Sequence, residues 1–68
     1  MKTVDAFLSR KAQVAWPSAV VYKLDTGRFV IERGNGEDDL DLGAKFSEAR
    51  ASVETIVRAE QAKKNLKN

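Results

Sequence analysis

Apolar and polar residues alternate in the middle of the chain, and a period of two is typical of β-strands. The alternation predicts three strands, at residues 19–24, 28–33 and 37–42. The first connection, residues 25–27, ends in a glycine that is free to adopt positive φ. The second, residues 34–36, contains Asn-Gly, the pair preferred where both central residues of a tight turn need positive φ. The spacing therefore predicts an antiparallel meander, with the third strand at a sheet edge.

The same alternation predicts which face of the meander is buried. The inward positions of the second and third strands are Phe29, Ile31, Leu40 and Leu42, joined by one set from the first strand. Asp39 and Asp41 point to the opposite side of the third strand. Because an antiparallel sheet packs one face on a core and leaves the other in water, we expect helices on the apolar face.

Apolar residues outside the meander follow a helical period. Near the N-terminus, one stripe holds Val4, Leu8, Ala12 and Ala15. This spacing fits the 3.6-residue period of a helix. It predicts a first helix over residues 3–16, with Thr3 as its N-cap and Pro17 as its stop.

A second helix is predicted from Phe46 to about Lys64, since neither glycine nor proline interrupts this segment. Ser47 is the predicted N-cap. The buried stripe is formed by Ala49, Val53, Ile56 and Val57. Towards the C-terminus this stripe thins, so we expect the last turns to project from the core or to fray.

The predicted elements fit one small α+β domain that spans residues 1–68. Their order along the chain is α-β-β-β-α. A three-stranded antiparallel meander is expected to pack against the long C-terminal helix. A chain of this length buries little of its surface, so its stability depends on good packing or on association with another chain.

The composition excludes several kinds of site. The 68 residues include no cysteine and no histidine, which removes disulfides, thiolate metal sites and imidazole acid–base catalysis. Carboxylates remain, but an EF-hand register that uses Gly36 places Ile31 and Arg33 at two ligand positions. We therefore predict no catalytic residue, no metal and no cofactor, and a protein that is not an enzyme.

Charge is unevenly distributed although the net charge is only +2. Residues 32–41 hold five acids and one base, whereas residues 58–68 hold four bases and one acid. Complementary charge steers encounters between proteins. The candidate partner-binding residues are Glu37, Asp38, Asp39, Asp41, Arg58, Lys63 and Lys64. Ordinary solubility and matching of the helix dipole explain the same distribution, and both interpretations stay open.

These exclusions leave protein binding as the predicted function. We expect a small non-catalytic accessory module, an inhibitor or adaptor that docks on a larger protein partner, of the kind that phages and mobile elements encode. No apolar run approaches the roughly 18 residues of a membrane span, and the N-terminal residues do not form a secretory signal. The expected location is therefore the cytoplasm.

Nucleic-acid binding is the alternative function. It would use basic residues near the termini and on the second helix, namely Arg10, Lys11, Lys45, Arg50, Arg58, Lys63, Lys64 and Lys67. Contacts of this kind to phosphates give an affinity that falls steeply with salt concentration.

The segment before and within the first turn of the second helix bears on this alternative. It reads Gly43-Ala44-Lys45-Phe46-Ser47-Glu48-Ala49-Arg50. Across nearly the whole chain, the predicted α-β-β-β-α order is similar to that of the double-stranded-RNA-binding domain, a likeness of topology rather than of motif. In that family a lysine-rich stretch at this place grips phosphates. The resemblance implies this role for Lys45 and Arg50, and Glu48 opposes it.

Two further alternatives concern apolar surface. A homodimer would bury Val57, Ala59, Ala62 and Leu66 of the second helix against a second copy of the chain. Trp16, the single tryptophan, either fills the core where the first helix meets the sheet or is an exposed anchor for a partner.

Overall fold

A computed structural model describes residues 2–65 as an antiparallel sheet covered on one face by two helices. The elements are β1 (Thr3–Val4), α1 (Ala6–Ala12), β2 (Val20–Lys23), β3 (Phe29–Glu32), β4 (Leu40–Gly43) and α2 (Phe46–Asn65). The strands are neighbours in the order β1-β2-β3-β4. The α+β class and the long C-terminal helix are confirmed. The prediction of three strands is wrong, because the described chain has four and their order with the helices is β-α-β-β-β-α.

The N-terminal residues were predicted as helix but begin as a strand. Thr3 and Val4 pair with β2, opposite Lys23 and Tyr22. Asp5, rather than Thr3, is the N-cap, and its carboxylate accepts a hydrogen bond from the Leu8 amide at 2.8 Å. A β-branched pair favours extended backbone, and aspartate is among the strongest N-caps, so the helix begins after it.

The first helix is also shorter than predicted at its C-terminal end. It stops at Ala12, and the chain then turns, with the amides of Ala15 and Trp16 both donating to the Ala12 carbonyl. These turns bring Trp16 into the core, where 5% of its surface is exposed. The interpretation of Trp16 as a core residue is therefore confirmed.

The core lies between the sheet and the two helices, as the alternation predicts. Its members are Leu8, Ala12, Ala15, Trp16, Ala19, Val21, Phe29, Ile31, Leu42, Ala49 and Val53, with Leu40, Ile56 and Val57 packed against them. On the first predicted strand, the side chains that point into the core are therefore those of Ala19 and Val21. The stripe predicted for the second helix also faces this core.

The β3–β4 connection keeps its predicted turn but shortens the strand that follows it. Asn35 has φ 56° and Gly36 has φ 78°, and the turn closes where the Glu37 amide donates to the Gly34 carbonyl at 3.1 Å. Residues 37–39 do not join the sheet, and pairing resumes at Leu40. The predicted strand over 37–42 is therefore shifted to Leu40–Gly43.

Helix α2 begins at Phe46, one residue before its predicted cap. Ser47 lies inside the first turn, so its prediction as N-cap is wrong. The Glu48 carboxylate instead accepts hydrogen bonds from the amides of Ala44 and Lys45, both at 3.2 Å. A carboxylate at this position satisfies amides that have no partner within the helix, as in a capping box.

Helix α1 is held against the sheet by two polar side chains one helical turn apart. The Ser9 hydroxyl accepts from the Val21 amide at 2.8 Å and donates to the Val21 carbonyl at 3.2 Å. The Gln13 side-chain amide donates to the Ala19 carbonyl at 3.0 Å. Since β1 ends at Val4, these side chains cover the edge of β2 that β1 leaves open.

Candidate functional site

The surface between the two helices contains a shallow groove. One side is formed by Phe7, Arg10, Lys11 and Val14 from α1 and the turn after it, and the other by Glu54, Val57, Arg58 and Gln61 of α2, with Lys64 and Asn65 at one end. It consists of three adjoining depressions of about 370, 360 and 410 Å³ that share Val14. These residues are called the helical groove below.

Large apolar side chains are exposed along this groove. Val14 is 64% exposed, Phe7 is 52% exposed, and Phe46 at the start of α2 is 43% exposed. The Phe7 and Phe46 rings lie 5.9 Å apart between centroids, so the apolar surface continues from one helix to the other. Contiguous exposed apolar surface with a polar rim is typical of interaction sites.

Basic side chains surround the apolar ones. Arg10, Lys11, Arg58 and Lys64 line the groove, and Glu54 is the acid among the described residues that line it. The Lys64 ammonium donates to the Ala15 carbonyl at 3.2 Å, which fixes it at the end of the groove. The groove lining is therefore positively charged.

Glu54 lies between two cations. Its Oε2 atom is 3.2 Å from Lys11 Nζ on α1 and 3.4 Å from Arg50 Nε one turn earlier on α2. The hydrogen bond from Lys11 and then that from Arg50 lower the pKa of Glu54 below its ordinary value. The three side chains form a charged bridge across the helical groove.

The predicted acidic residues lie elsewhere, in the β3–β4 connection and on β4. Glu37 forms an ion pair with Arg33 at 3.7 Å. Arg33 also donates to the backbone carbonyl of Asp38 at 2.8 Å. Asp39 accepts a hydrogen bond from the Tyr22 hydroxyl at 3.3 Å. Asp41 is paired with Arg28, so three of the four predicted acids have side-chain partners within the chain.

Asp41 is held by Arg28, the residue just before β3. Both carboxylate oxygens lie 3.1 Å from Arg28 Nε, and the terminal guanidinium nitrogen donates to one of them. The hydrogen bond from Arg28 lowers the pKa of Asp41. This pairing leaves less net negative charge on β4 than the sequence suggests.

The structure divides the predicted partner-binding set into two groups. Glu37, Asp38, Asp39 and Asp41 lie on the β3–β4 side, whereas Arg58, Lys63 and Lys64 lie on α2. Within the second group, Arg58 and Lys64 line the helical groove, and Lys63 is 3.8 Å from Glu60 of its own helix. The two groups therefore lie on different elements of the fold.

The residues predicted for nucleic-acid binding are only partly brought together. Arg10, Lys11, Arg58 and Lys64 line the helical groove, and Arg50 reaches its Glu54 bridge. Lys45 is exposed just before α2. Lys67 lies outside the described residues. The α-β-β-β-α order that carries the resemblance to the double-stranded-RNA-binding domain is not found, because the chain begins with β1.

The apolar face predicted for a homodimer has one described residue packed against the core and two that are exposed. Val57 packs partly against the core, and Ala59 and Ala62 are exposed on the distal part of α2. Leu66, the largest residue of that set, lies outside the described part of the chain.

Sequence reasoning missed the exposed apolar residues of the groove. The spacing of Phe7, Lys11 and Val14, four and then three residues apart, was the available signal for a second face on the first helix. That face is distinct from the buried one, which contains Leu8 and Ala12.

Comparisons of the chain with protein families, curated proteins and solved structures find no match. Among residues 2–65, no group of three or more acidic side chains is placed to hold a metal ion. Neither described helix is long and apolar enough to cross a lipid bilayer.

Proposed function

We propose that this protein is a small non-catalytic protein-binding module that docks on a larger partner through the helical groove. The observation that carries the proposal is the exposure of Phe7 and Val14 in a groove lined by basic side chains, with Phe46 exposed next to Phe7. A partner that covered these residues would remove apolar surface from water, which is the main driving force of protein association. An inhibitor or adaptor in the cytoplasm is the role we propose for such a module.

The apolar character of the groove favours a protein partner over a nucleic acid. Nucleic-acid interfaces are more polar and much more positively charged than protein interfaces. Here the net charge of the chain is +2, and Glu54 already neutralises part of the charge of Lys11 and Arg50.

A capture experiment with matched variants tests the proposal. The full chain is immobilised as wild type, as Val14→Asp in the groove, and as Thr26→Asp in the exposed β2–β3 turn. Both substitutions add the same charge at an exposed position, and circular dichroism checks that both variants fold. We expect a protein captured by the wild type and by Thr26→Asp, and recovered about tenfold less with Val14→Asp, as for a hot-spot residue.

Two results would contradict this function. One is that no protein recovered by the wild type is lost with Val14→Asp. The other is a mobility shift of duplex RNA, duplex DNA or a single strand by the wild type that weakens steeply as salt is raised, since this is the behaviour of phosphate contacts. Light scattering that showed a dimer dissociated by Val14→Asp would assign the groove to a second copy of the chain.

A further inference from the structure

We infer that the helical groove takes an acidic amphipathic helix of the partner, and that Glu54 occupies the place where a carboxylate of that helix binds. This inference rests on the proposed function and adds the chemistry of the bound segment. It follows from the Glu54 bridge, from the charge of the groove and from the two helices that form its walls.

The Glu54 bridge shows what the middle of the groove binds. Lys11 from α1 and Arg50 from α2 converge on the same carboxylate oxygen, at 3.2 and 3.4 Å. The Glu54 side chain is 39% exposed, and those of Lys11 and Arg50 are 32% and 55% exposed. The two cations are therefore accessible to a carboxylate from outside, and exposed ion pairs of this kind exchange partners at little cost.

The remaining charge of the groove also selects an acidic segment. Arg10, Arg58 and Lys64 line it beside Lys11, against the single carboxylate of Glu54 among its described lining residues. Lys64 is anchored on a carbonyl, which leaves its positive charge uncompensated there. Complementary potential across an interface raises the association rate and suppresses wrong partners, so a basic segment would be rejected.

The walls of the groove favour a helix rather than an extended segment. The groove runs between two helices, and no strand residue is among its described lining residues. An extended peptide would instead add as a strand at a sheet edge. An amphipathic helix lies in such a groove and presents apolar anchors at positions i, i+3, i+4 and i+7.

Three designed peptides of about 18 residues, or five helical turns, test the inference. All carry leucine at i, i+3, i+4 and i+7, and their remaining positions are mostly glutamate, glutamine or lysine. Fluorescence anisotropy measures the binding of each labelled peptide to the full-length protein. We expect the acidic peptide to bind, the neutral peptide to bind more weakly and the basic peptide not to bind.

Two variants test the role of Glu54. Glu54→Gln frees both cations, so it is expected to raise the affinity for the acidic peptide by roughly twofold to fivefold, which corresponds to the free energy of an exposed ion pair. Glu60→Gln removes the same charge from α2 outside the lining and is expected to leave the affinity unchanged. Lys11→Gln is expected to lower the affinity for the acidic peptide more than Lys23→Gln does. The second substitution removes the same charge beside Phe29.

The outcomes separate this inference from the proposed function. Equal binding of the neutral or basic peptide, failure of the acidic peptide to bind, or equal effects of Glu54→Gln and Glu60→Gln would overturn the inference. Capture of a protein that is lost with Val14→Asp would still support docking through the groove in each of those cases. Displacement of the acidic peptide by duplex RNA at low salt would show instead that the basic side chains of the groove bind phosphate.

Discussion

The hydroxyl of Ser9 lies 2.8 Å from the amide nitrogen of Val21 and 3.2 Å from its carbonyl oxygen. The Ser9 side chain thus makes both hydrogen bonds that a residue of a neighbouring strand would otherwise make with Val21. The Val21 carbonyl also accepts from the Asp5 amide at 2.8 Å, at the point where β1 ends. The backbone of β2 is therefore satisfied without a longer β1, and α1 is fixed over the core.

Replacing Ser9 with alanine should destabilise the fold. Ser9 is 5% exposed, so Ser9→Ala leaves the Val21 amide buried without a partner. Such a loss costs about 1–3 kcal/mol. Urea denaturation followed by Trp16 fluorescence measures it. Ser47→Ala, in the exposed first turn of α2, is the control and should change the free energy of unfolding by less than about 0.5 kcal/mol.

Gly43→Ala should cost more than Gly27→Ala. Both glycines have positive φ, 114° and 91°, so both substitutions strain the backbone by about 1–3 kcal/mol. A Cβ on Gly43 would also lie 3.0 Å from the Cβ of Glu48, whereas one on Gly27 would meet nothing within 4 Å. The difference between the two urea midpoints therefore measures the steric contact. Equal midpoints would show that Glu48 moves away freely.

Tyr22 should lose its phenol proton at higher pH in the folded protein than in the unfolded chain. Burial first, and then the neighbouring Asp39 carboxylate, raise its pKa above the ordinary 10.0. Since the unfolded chain is deprotonated first, the free energy of unfolding should fall as the pH rises above 10.0. Ultraviolet titration of this single tyrosine, in buffer and in denaturant, measures both pKa values. Asp39→Asn should lower the folded-state pKa, and an unchanged value would contradict the assignment.

The Arg28–Asp41 pair should stabilise the fold at neutral pH and not in strong acid. Arg28 holds the pKa of Asp41 below its ordinary 3.8, so this stability is present above pH 3.8 and is lost as the pH falls through the lowered pKa. Urea midpoints across the acid range should therefore fall less for Asp41→Asn than for the wild type. In a double-mutant cycle, Arg28→Gln should have little further effect once Asp41 is replaced.

The sheet and the core faces could be predicted because they repeat a pattern over several residues. Alternation placed Phe29, Ile31 and Leu42 inward, and the structure buries all three. Strand β1 could not be predicted in this way, because Thr3 and Val4 are too few to show a period. Val4 also fits the apolar stripe of a helix, with Thr3 as its N-cap, and only pairing with β2 decides between the two conformations.

The basic residues of the site could be predicted from the sequence, but their surroundings could not. Arg58 and Lys64 belonged to the predicted partner-binding set, and both line the helical groove. The exposure of Phe7 and Val14 depends on where α1 ends and how α2 crosses it, which no local pattern specifies. Arg28 lies just before β3 and Asp41 on β4, so their pairing, 13 residues apart in sequence, is likewise a consequence of the register between these strands.

The covered edge of β2 bears on how the protein behaves at high concentration. Only short outer strands, Thr3–Val4 and Leu40–Gly43, remain at the margins of the described sheet, and the Leu42 carbonyl of the second accepts from the Ser52 hydroxyl at 3.3 Å. Growth of amyloid needs a long, flat, unpaired template. The side chains of Ser9 and Gln13 occupy the part of the β2 edge that β1 leaves open, so loss of their hydrogen bonds would add a further unpaired edge to the sheet.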